Sequence, residues 1–276
     1  MLNSPVPFDF SPYAAVLLDL DGTLYHEDHA LPGAVELVQL LQQLGRPYAC
    51  LTNSTSSPER IRRRLIQMGI DIPADHIYSA ASAAADYALA HFPYDAAGKP
   101  RRPRLMNLAT EGLGELLEGQ VEWVNDPGQA CDGVIIGAPA NIFATPDRQR
   151  VALELARRGA MLIGICADRV YPSPRGMELG CGALTAMLAY GAASSKIVFT
   201  GKPEPIFFEE LCGHLEVAPA ECVLIGDNLE SDITGARAVG MATVLVLTGV
   251  ATAEDLKKLG TDAQPGTVIG NLTQLL

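Results

Sequence analysis

Short apolar runs alternate along this chain with longer segments in which apolar residues recur every three or four positions. A short apolar run bounded by turn residues is typical of a strand in a parallel sheet that is covered on both faces. The chain has such runs at residues 14–19, 48–52, 104–108, 131–137, 160–166, 196–200, 222–226 and 243–247. Their alternation with helical segments predicts an α/β fold built from βαβ units.

The helical segments carry recognisable start and stop signals. A helix over Pro32–Leu44 is followed by Gly45, while Ser57 and Pro58 provide an N-cap and a first-turn proline for a helix that ends near Met68. Further helices are predicted over Ala80–His91, Gly112–Glu118, Asp147–Arg158 and Ala183–Tyr190, and from Pro205 onward. The glycine-rich segment Gly176–Gly182 is predicted to be a loop.

The composition of the chain changes at Pro93–Pro103, where prolines, a glycine and basic residues are typical of a linker. A second α/β pattern follows this linker, and the first pattern resumes near residue 198. The sequence therefore predicts one α/β domain, residues 1–92 and 198–276, that is interrupted by an inserted α/β domain, residues 93–197. A chain of 276 residues is long enough to form two such domains.

The charge and the cysteines narrow the class of protein. A net charge of -12 argues against nucleic acid and anionic membranes as partners, because both require clustered basic charge. The 6 cysteines are scattered without a C-x-x-C pair, which favours reduced, buried thiols over disulfides. Neither a signal peptide in Met1–Pro12 nor an apolar stretch of membrane-spanning length is visible. We therefore expect a cytoplasmic protein.

Polar side chains of complementary kinds follow four of the predicted strands. They are Asp19 and Asp21, Thr52 and Asn53, Lys202, and Asp227 with Asp232. Because the carboxyl ends of parallel strands meet at one edge of a sheet, we expect these side chains to lie together. Two close carboxylates are difficult to keep ionised without a cation. Such a set of acids with a lysine suits phosphoryl transfer through an aspartyl-phosphate, and Mg²⁺ prefers oxygen ligands of this kind.

Each of these residues also has a structural interpretation when it is taken singly. Asp19 or Asp21 alone suits a strand-end turn, and Lys202 suits a surface turn. Their joint occurrence at successive strand ends favours a functional site. His26 and His29 have a spacing seen in zinc sites, but their position directly after the first strand favours the edge of a flap. The sequence contains neither a P-loop nor a dinucleotide-binding glycine motif.

The strand-end residues resemble the four motifs of the haloacid dehalogenase superfamily. Residues 19–24 (DLDGTL) are similar to the first motif, Thr52-Asn53 to the second, Lys202-Pro203 to the third and residues 226–232 (GDNLESD) to the fourth. A large insert between the second and third motifs resembles that of the class IIA members, which are NagD-like or p-nitrophenylphosphatase-like. The resemblance implies a Rossmann-like parallel-sheet core with an inserted α/β cap domain that sets substrate specificity.

The resemblance also implies a role for each motif residue in a Mg²⁺-dependent phosphatase. Asp19 would attack phosphorus and ligate the metal, and Asp21 would act as general acid and base while its backbone carbonyl contacts the metal. The remaining roles would be phosphate binding by Thr52 and Asn53, charge neutralisation by Lys202, metal ligation by Asp227, and ligation or outer-shell support by Asp232. The substrates would be small phosphorylated metabolites, such as sugar phosphates or nucleotides.

The insert departs from the family pattern at two places. Many class IIA members carry G-x-D after one cap strand and a T-N-x-D-like segment after another, where this chain has Gly137-Ala138-Pro139 and residues 166–169 (CADR). The substrate is therefore left open, with Asp168, Arg169 and Arg175 as candidates for binding the leaving group. The family also makes a homodimer through the cap plausible.

Two alternatives to a phosphatase remain open on the sequence. One is a phosphotransferase that passes the phosphoryl group from Asp19 to an acceptor other than water. The other is a non-enzymatic module that binds a metal or phosphate with the same acids. The presence of Asp21 two residues after the proposed nucleophile favours catalysis, because a binding module does not need an acid and base at that place.

Overall fold

A computed structural model describes residues 8–95, 97–173, 175–260 and 263–276, with the backbone alone at Pro172. The strands in these ranges are β1 Ala15–Asp19, β2 Tyr25–His26, β3 His29–Ala30, β4 Tyr48–Thr52, β5 Ile77–Ser79, β6 Arg104–Leu108, β7 Glu122–Trp123, β8 Gly133–Ile136, β9 Met161–Gly164, β10 Val170–Ser173, β11 Gly176–Leu179, β12 Ile197–Phe199, β13 Cys222–Gly226, β14 Ala242–Val246 and β15 Thr267–Ile269. The α-helices are α1 Ala34–Gln43, α2 Pro58–Gln67, α3 Ala80–His91, α4 Glu111–Leu116, α5 Pro146–Arg157, α6 Cys181–Ala192, α7 Pro205–His214, α8 Gly235–Ala238 and α9 Ala253–Lys258. Leu229–Thr234 forms a π-helical turn.

The chain divides into two compact units. The first unit contains the described residues up to Thr52 together with Pro58–Tyr78 and Lys202–Leu276, and the second contains Asn53–Ser57 and Ser79–Gly201. The predicted α/β class is confirmed, because strands with parallel pairing and helices build both units. In the described residues no helix is both long and apolar enough to cross a membrane.

The first unit is built on a six-stranded sheet with the order β15-β14-β13-β1-β4-β5. The central strand β1 pairs in parallel with β13 on one side and with β4 on the other. All residues of these three strands are buried, as is typical of a parallel sheet covered on both faces. The first motif thus lies in the middle of the sheet, with the ends of β4 and β13 beside it.

The second unit contains a five-stranded sheet with the order β12-β9-β8-β6-β7. β12 pairs in parallel with β9, so this strand belongs to the second unit, whereas the sequence boundary at residue 198 divides it. The sequence prediction of a buried strand at 196–200 is wrong in its burial, since Ile197 is 39% exposed. The reason is that β12 has a neighbour on one side of this sheet only.

Helix α3 also lies in the second unit, although the sequence boundary at residue 93 assigns it to the outer domain. It packs on α4, and the Tyr87 hydroxyl donates to Met161 Sδ in β9 at 3.4 Å. Segment 53–57 is held in the same unit by side chains, since Thr110 Oγ1 donates to the Thr55 carbonyl at 2.8 Å and Ser57 Oγ donates to Glu115 at 2.7 Å. These long-range contacts carry no local sequence signal.

The loop predicted over Gly176–Gly182 is wrong for its first half, because Gly176–Leu179 forms β11 and pairs antiparallel with β10. Glu178 stabilises this hairpin by accepting hydrogen bonds from Tyr171 at 3.0 Å, Ser173 at 3.0 Å and Arg175 at 2.8 Å. Gly176 has φ of 111°, a conformation that the hairpin turn requires and that glycine adopts readily. The glycine therefore marks a turn between two strands and not a longer loop.

A partly buried ion pair joins the linker region to the second sheet. Asp132, just before β8, binds both terminal nitrogens of Arg101 at 2.6 and 2.7 Å and accepts the Arg104 backbone N–H at 2.8 Å. The Asp132 side chain is only 12% exposed. Burial alone would raise the pKa of this carboxyl, but the hydrogen bonds from Arg101 and Arg104 outweigh burial and lower it.

We expect Asp132→Asn to lower the free energy of unfolding by about 1–3 kcal/mol at pH 7, because two guanidinium groups lose a charged acceptor. The folded-state pKa of Asp132 lies below the unfolded value of about 3.9, so the stabilisation is complete above that pH and disappears as the pH falls through the folded-state pKa. Urea unfolding of both proteins at pH 7 and pH 3 measures the effect. Glu154→Gln, in an exposed pair with Arg157, is the matched control and should change little. A difference at pH 3 as large as that at pH 7 would contradict the prediction.

Candidate active site

Asp19 is the last residue of β1, and its buried carboxylate accepts hydrogen bonds from two neighbours. Thr23 Oγ1 donates to Asp19 Oδ2 at 3.2 Å, and Lys202 Nζ donates to Asp19 Oδ1 at 2.5 Å. Thr23 reaches back because Gly22 turns the chain directly after the strand with φ of 84°. The end of β1 therefore holds a carboxylate in a fixed orientation.

The register of the sheet places two further motif residues beside this strand end. Leu18 is paired with Ile225 of β13, so Asp227, which follows β13, lies just beyond the level of Asp19. Asp19 itself is paired with Leu51 of β4, which puts Thr52 one residue beyond it on the other side. Parallel pairing thus gathers residues that are far apart in sequence, as the motif spacing predicts.

Lys202 connects two of the buried acids. Its Nζ lies 2.5 Å from Asp19 Oδ1 and 2.6 Å from Asp232 Oδ1, and the residue is 3% exposed. Burial by itself lowers the pKa of this lysine, but the charges of Asp19 and Asp232 outweigh burial and raise it above its usual value. Burial is also the main cause that raises the pKa of Asp19, only partly offset by Lys202. We interpret Lys202 as a protonated lysine between the carboxylates of Asp19 and Asp232, because an ammonium group at these distances can donate to both of them.

Asp232 is held from two sides. Its Oδ1 accepts from Lys202, and its Oδ2 accepts the Asn228 backbone N–H at 3.0 Å. The Asn228 side chain in turn accepts from the N–H groups of Glu230 and Ser231, which caps the π-helical turn containing Asp232. Gly226 allows this approach, since a Cβ there would lie 2.6 Å from Asp232 Oδ2.

Asp227 lies in a cradle made by the loop after β14. Its Oδ2 accepts the Val250 backbone N–H at 2.6 Å. Gly22 and Gly249 pack against its carboxyl, and a Cβ on them would lie 2.7 Å from Asp227 Cγ and 2.8 Å from Asp227 Cβ, respectively. Burial and then the charge of Asp232 raise the pKa of Asp227 to about 6. The carboxyl is therefore fixed in place and short of positive charge.

Three buried acids, Asp19, Asp227 and Asp232, each offer an oxygen within 4.8 Å of the others. If all three are ionised, Lys202 compensates one of their charges and leaves an excess of two negative charges. A second cation with a preference for hard oxygen ligands fits this excess and this donor set. The residues present are therefore suited to a divalent metal ion.

The remaining predicted residues have different surroundings. Asp21 is exposed, forms an isolated bridge with Tyr25, and does not belong to the acid triad. Asn53 belongs to the second unit, although it directly follows Thr52 of the first unit in the sequence. His26 and His29 face each other across the β2–β3 hairpin, and both are exposed. Among the described residues these histidines join no group of three metal-ligating side chains.

Three contributors to the site were not singled out from the sequence. Thr23 lies inside the first motif, and this position is a signal from which its hydrogen bond to Asp19 could have been predicted. Asn228 follows the acid of the fourth motif, and an asparagine at a helix start is a recognisable cap signal. Val250 acts through its backbone N–H, which its side-chain identity does not reveal.

The second unit has a cavity of about 390 Å³ of its own. It is lined by Asn53, Ser54, Thr55, Thr110, Ala138, Ala140, Asn141, Cys166, Asp168, Tyr171, Gly180 and Cys181. Of the leaving-group candidates in the insert, Asp168 lines this cavity, while Arg175 instead pairs with Glu178 in the β10–β11 hairpin. Arg169 is exposed and is not among the lining residues. The described lining residues of the cavity include no lysine or arginine, and apolar atoms make up more of the cavity surface than polar atoms do.

Comparisons with known proteins agree with this geometry. A family model described as haloacid dehalogenase-like hydrolase matches residues 16–119, and one described as HAD-hydrolase-like matches residues 199–275. A protein named acid sugar phosphatase from Staphylococcus aureus is 32% identical over 247 residues, which cover 89% of this chain and 90% of that protein.

Solved structures with similar folds cover nearly the whole chain. A 4-nitrophenylphosphatase from Thermotoga maritima matches with a TM-score of 0.83 and 28% identity over 96% of each chain. NagD from E. coli K-12 matches with a TM-score of 0.81 and 26% identity, over 94% of this chain and 97% of that one.

The chain therefore belongs to the haloacid dehalogenase-like hydrolases, in their NagD-like, class IIA subgroup. The predicted enzyme class, a phosphatase of this family, is confirmed, which removes the non-enzymatic binding module as an alternative.

We expect Lys202→Met to lower the free energy of unfolding by about 3–5 kcal/mol in metal-free solution, because two buried carboxylates lose their counter-ion. Adding Asp19→Asn to this variant should recover part of the loss, since one of the unpaired charges is then removed. Urea unfolding of the single and double variants measures this coupling. Lys196→Met is the control, because Lys196 is exposed and its ammonium group donates to the carbonyl of Gly159 and not to a buried carboxylate. Effects of Lys202→Met and Asp19→Asn that simply add would contradict the coupling.

Proposed function

We propose that this protein is a Mg²⁺-dependent phosphatase that hydrolyses small phosphorylated metabolites through an aspartyl-phosphate on Asp19. The observation that carries the proposal is the burial of Asp19 at the end of β1, in contact with Lys202 and within the acid triad. A nucleophile that must approach an anionic phosphate needs positive charge beside it, and this surrounding provides a lysine and ligands for a cation.

The chemistry of the proposed reaction has two steps. A carboxylate oxygen of Asp19 attacks phosphorus, the bond between phosphorus and the ester oxygen breaks, and Asp21 gives a proton to that oxygen. Water then attacks phosphorus and loses a proton to Asp21, while the bond from phosphorus to Asp19 breaks and inorganic phosphate leaves. The exposure of Asp21, two residues beyond β1, supports this role, because a group that exchanges protons with substrate and water must be accessible.

Mg²⁺, when bound, would be held by Asp19, Asp227 and the backbone carbonyl of Asp21, and would supply positive charge to the phosphoryl group. Asp232 is better suited to an outer-shell role, because its two oxygens already accept from Lys202 and Asn228. In that position Asp232 orients Lys202 toward Asp19. Thr52, at the end of β4, and Asn53, the next residue, would bind phosphate oxygens.

The substrate class follows from the relatives and from the second unit. We propose sugar phosphates, nucleotides or similar monoesters, because relatives with this fold are named acid sugar phosphatase and 4-nitrophenylphosphatase. The second unit would act as the cap, with its cavity as the place for the leaving group and Asp168 as a hydrogen-bond acceptor there. The sequence supports this role of the cavity, because Asn53, which lines it, directly follows the proposed phosphate-binding residue Thr52.

We expect the protein to release phosphate from p-nitrophenyl phosphate in the presence of Mg²⁺ and to stop when EDTA is added. Asp19→Asn should reduce kcat to background, because the proposed nucleophile is replaced by a neutral amide. Asp28→Asn, on the exposed β2–β3 turn, is the matched control and should retain activity. Turnover retained by Asp19→Asn would overturn the mechanism.

Asp21→Asn gives a second measurement in the same assay. Its kcat should fall about 10²–10⁴-fold, because general acid and base catalysis is lost. p-Nitrophenolate leaves without much help from an acid, so the phosphorylated enzyme should accumulate in this variant and be detectable by intact mass. Added alcohols separate hydrolysis from phosphotransfer, since a phosphotransferase would form a phosphorylated alcohol in place of inorganic phosphate.

A homodimer through the second unit is a further part of the proposal. Met177, Leu179 and Tyr190 are among the large apolar side chains of this unit that are exposed, and such residues often mark an interface. Light scattering should then give twice the chain mass, and Tyr190→Glu should shift the mass toward the monomer. A monomeric mass at micromolar concentration would contradict a stable dimer.

A further inference from the structure

Two cysteines that the proposed reaction does not use meet at the wall of the cavity in the second unit. Cys166 lies two residues after β9, and Cys181 is the first residue of α6. The backbone N–H of Cys166 points at Cys181 Sγ across 3.4 Å. Both residues line the cavity of about 390 Å³ and are 6% and 2% exposed, respectively. The two cysteines are therefore neighbours in the wall of one cavity.

Glycines bring the two cysteines together. Gly180 and Gly182 flank Cys181, and a Cβ on either would lie within 2.8 Å of the backbone of the segment after β9. On Gly180 the nearest carbonyl carbon is that of Asp168, and on Gly182 it is that of Ala167. This close approach holds the start of α6 against residues 166–168. The backbone packing therefore brings the two cysteines together.

The surroundings make Cys181 the more acidic thiol of the pair. Its interaction with the Cys166 thiol and the backbone N–H of Cys166 lower the pKa of Cys181 and outweigh burial. Cys181 is also the first residue of a twelve-residue helix, and the positive end of the helix dipole stabilises a thiolate there. As a thiol, Cys181 donates to the Ile136 carbonyl at 2.9 Å. The interaction with Cys181, burial and nearby Asp168 raise the pKa of Cys166, which therefore keeps its proton longer.

We propose that Cys166 and Cys181 form a modification site, at which a hydroperoxide that enters the cavity converts the two thiols into a reversible disulfide. The basis is their direct proximity, their position in a cavity wall and the two glycines that hold the segments together. The proposal does not depend on the proposed phosphatase mechanism.

The oxidation balances in two steps with hydrogen peroxide as the oxidant. The thiolate sulfur of Cys181 attacks one peroxide oxygen, the O–O bond breaks, and the leaving hydroxide takes up a proton to become water, which leaves a sulfenic acid on Cys181. The sulfur of Cys166 then attacks the Cys181 sulfur, the S–O bond breaks, and the hydroxide leaves as water with the proton of the Cys166 thiol. Two thiols and one peroxide thus give one disulfide and two waters, and a dithiol reductant reverses the change.

A second cysteine pair provides an internal comparison. Cys212 of α7 and Cys222 of β13 have their sulfurs 3.7 Å apart, but both residues are fully buried in the first unit. The two cysteines are close together in both pairs. Of the two pairs, that of Cys166 and Cys181 is the one that lines the described cavity. Access of the oxidant should decide which pair reacts in the folded protein.

The test is peroxide treatment of the folded full chain, followed by alkylation of free thiols and tryptic mass spectrometry. Cys166 falls in the peptide of residues 159–169 and Cys181 in that of residues 176–196, so their disulfide appears as a joined pair of peptides. We expect this joined pair to form in proportion to peroxide and to disappear with dithiothreitol. The peptide of residues 197–237, which contains both Cys212 and Cys222, should remain alkylated.

Two variants check the order of the steps. Cys166→Ser should stop at the sulfenic acid, so that dimedone labels Cys181, and Cys212→Ser is the matched control that should still form the joined peptides. The absence of the joined peptides in the wild-type protein, or their formation only after unfolding in urea, would overturn the proposal. Preferential oxidation of Cys212 and Cys222 would also overturn it, because access through the cavity would then not select the reactive pair.

Discussion

The first unit depends on one electrostatic constraint, which is that several carboxylates are buried at one end of a parallel sheet. Lys202 lies 2.5 Å from Asp19 and 2.6 Å from Asp232, and all three are removed from water. A buried charge is tolerated when it is paired and hydrogen-bonded, and breaking such a pair is strongly destabilising. The lysine satisfies two of the acids, while the remaining negative charge is suited to a metal ion. Stability and the proposed chemistry therefore share the same groups.

The backbone around these charges is shaped to bring them close without steric conflict. Gly22, Gly226 and Gly249 stand where a Cβ would overlap Asp227 or Asp232. Backbone N–H groups of Asn228 and Val250 complete the hydrogen bonds of the same two carboxyls. These backbone donors fix the orientation of the Asp227 and Asp232 carboxyl groups before any ligand binds. The motif glycines are therefore as necessary to the site as its acids.

The second unit contains a cavity with no lysine or arginine among its described lining residues. Its walls come from the segment after β4, the start of α6 and the segment after β9, which hydrogen bonds and close glycine contacts hold together. Two arginines of this unit form ion pairs within it, Arg101 with Asp132 and Arg175 with Glu178.

The sequence alone determined the α/β class, the principal strands and the four motifs, because apolar runs, turn residues and strand-end acids are local signals. β4, β6, β13 and α3 lie at the residues that the pattern predicts. Only the tertiary structure decided which unit receives α3 and β12, because that depends on contacts such as Tyr87 with Met161 and on the pairing of β12 with β9. It also decided that Asp232 contacts Lys202, that the Val250 N–H holds Asp227, and that Cys166 meets Cys181. Contacts between residues distant in sequence are set by strand register and packing, which no local pattern of side chains encodes.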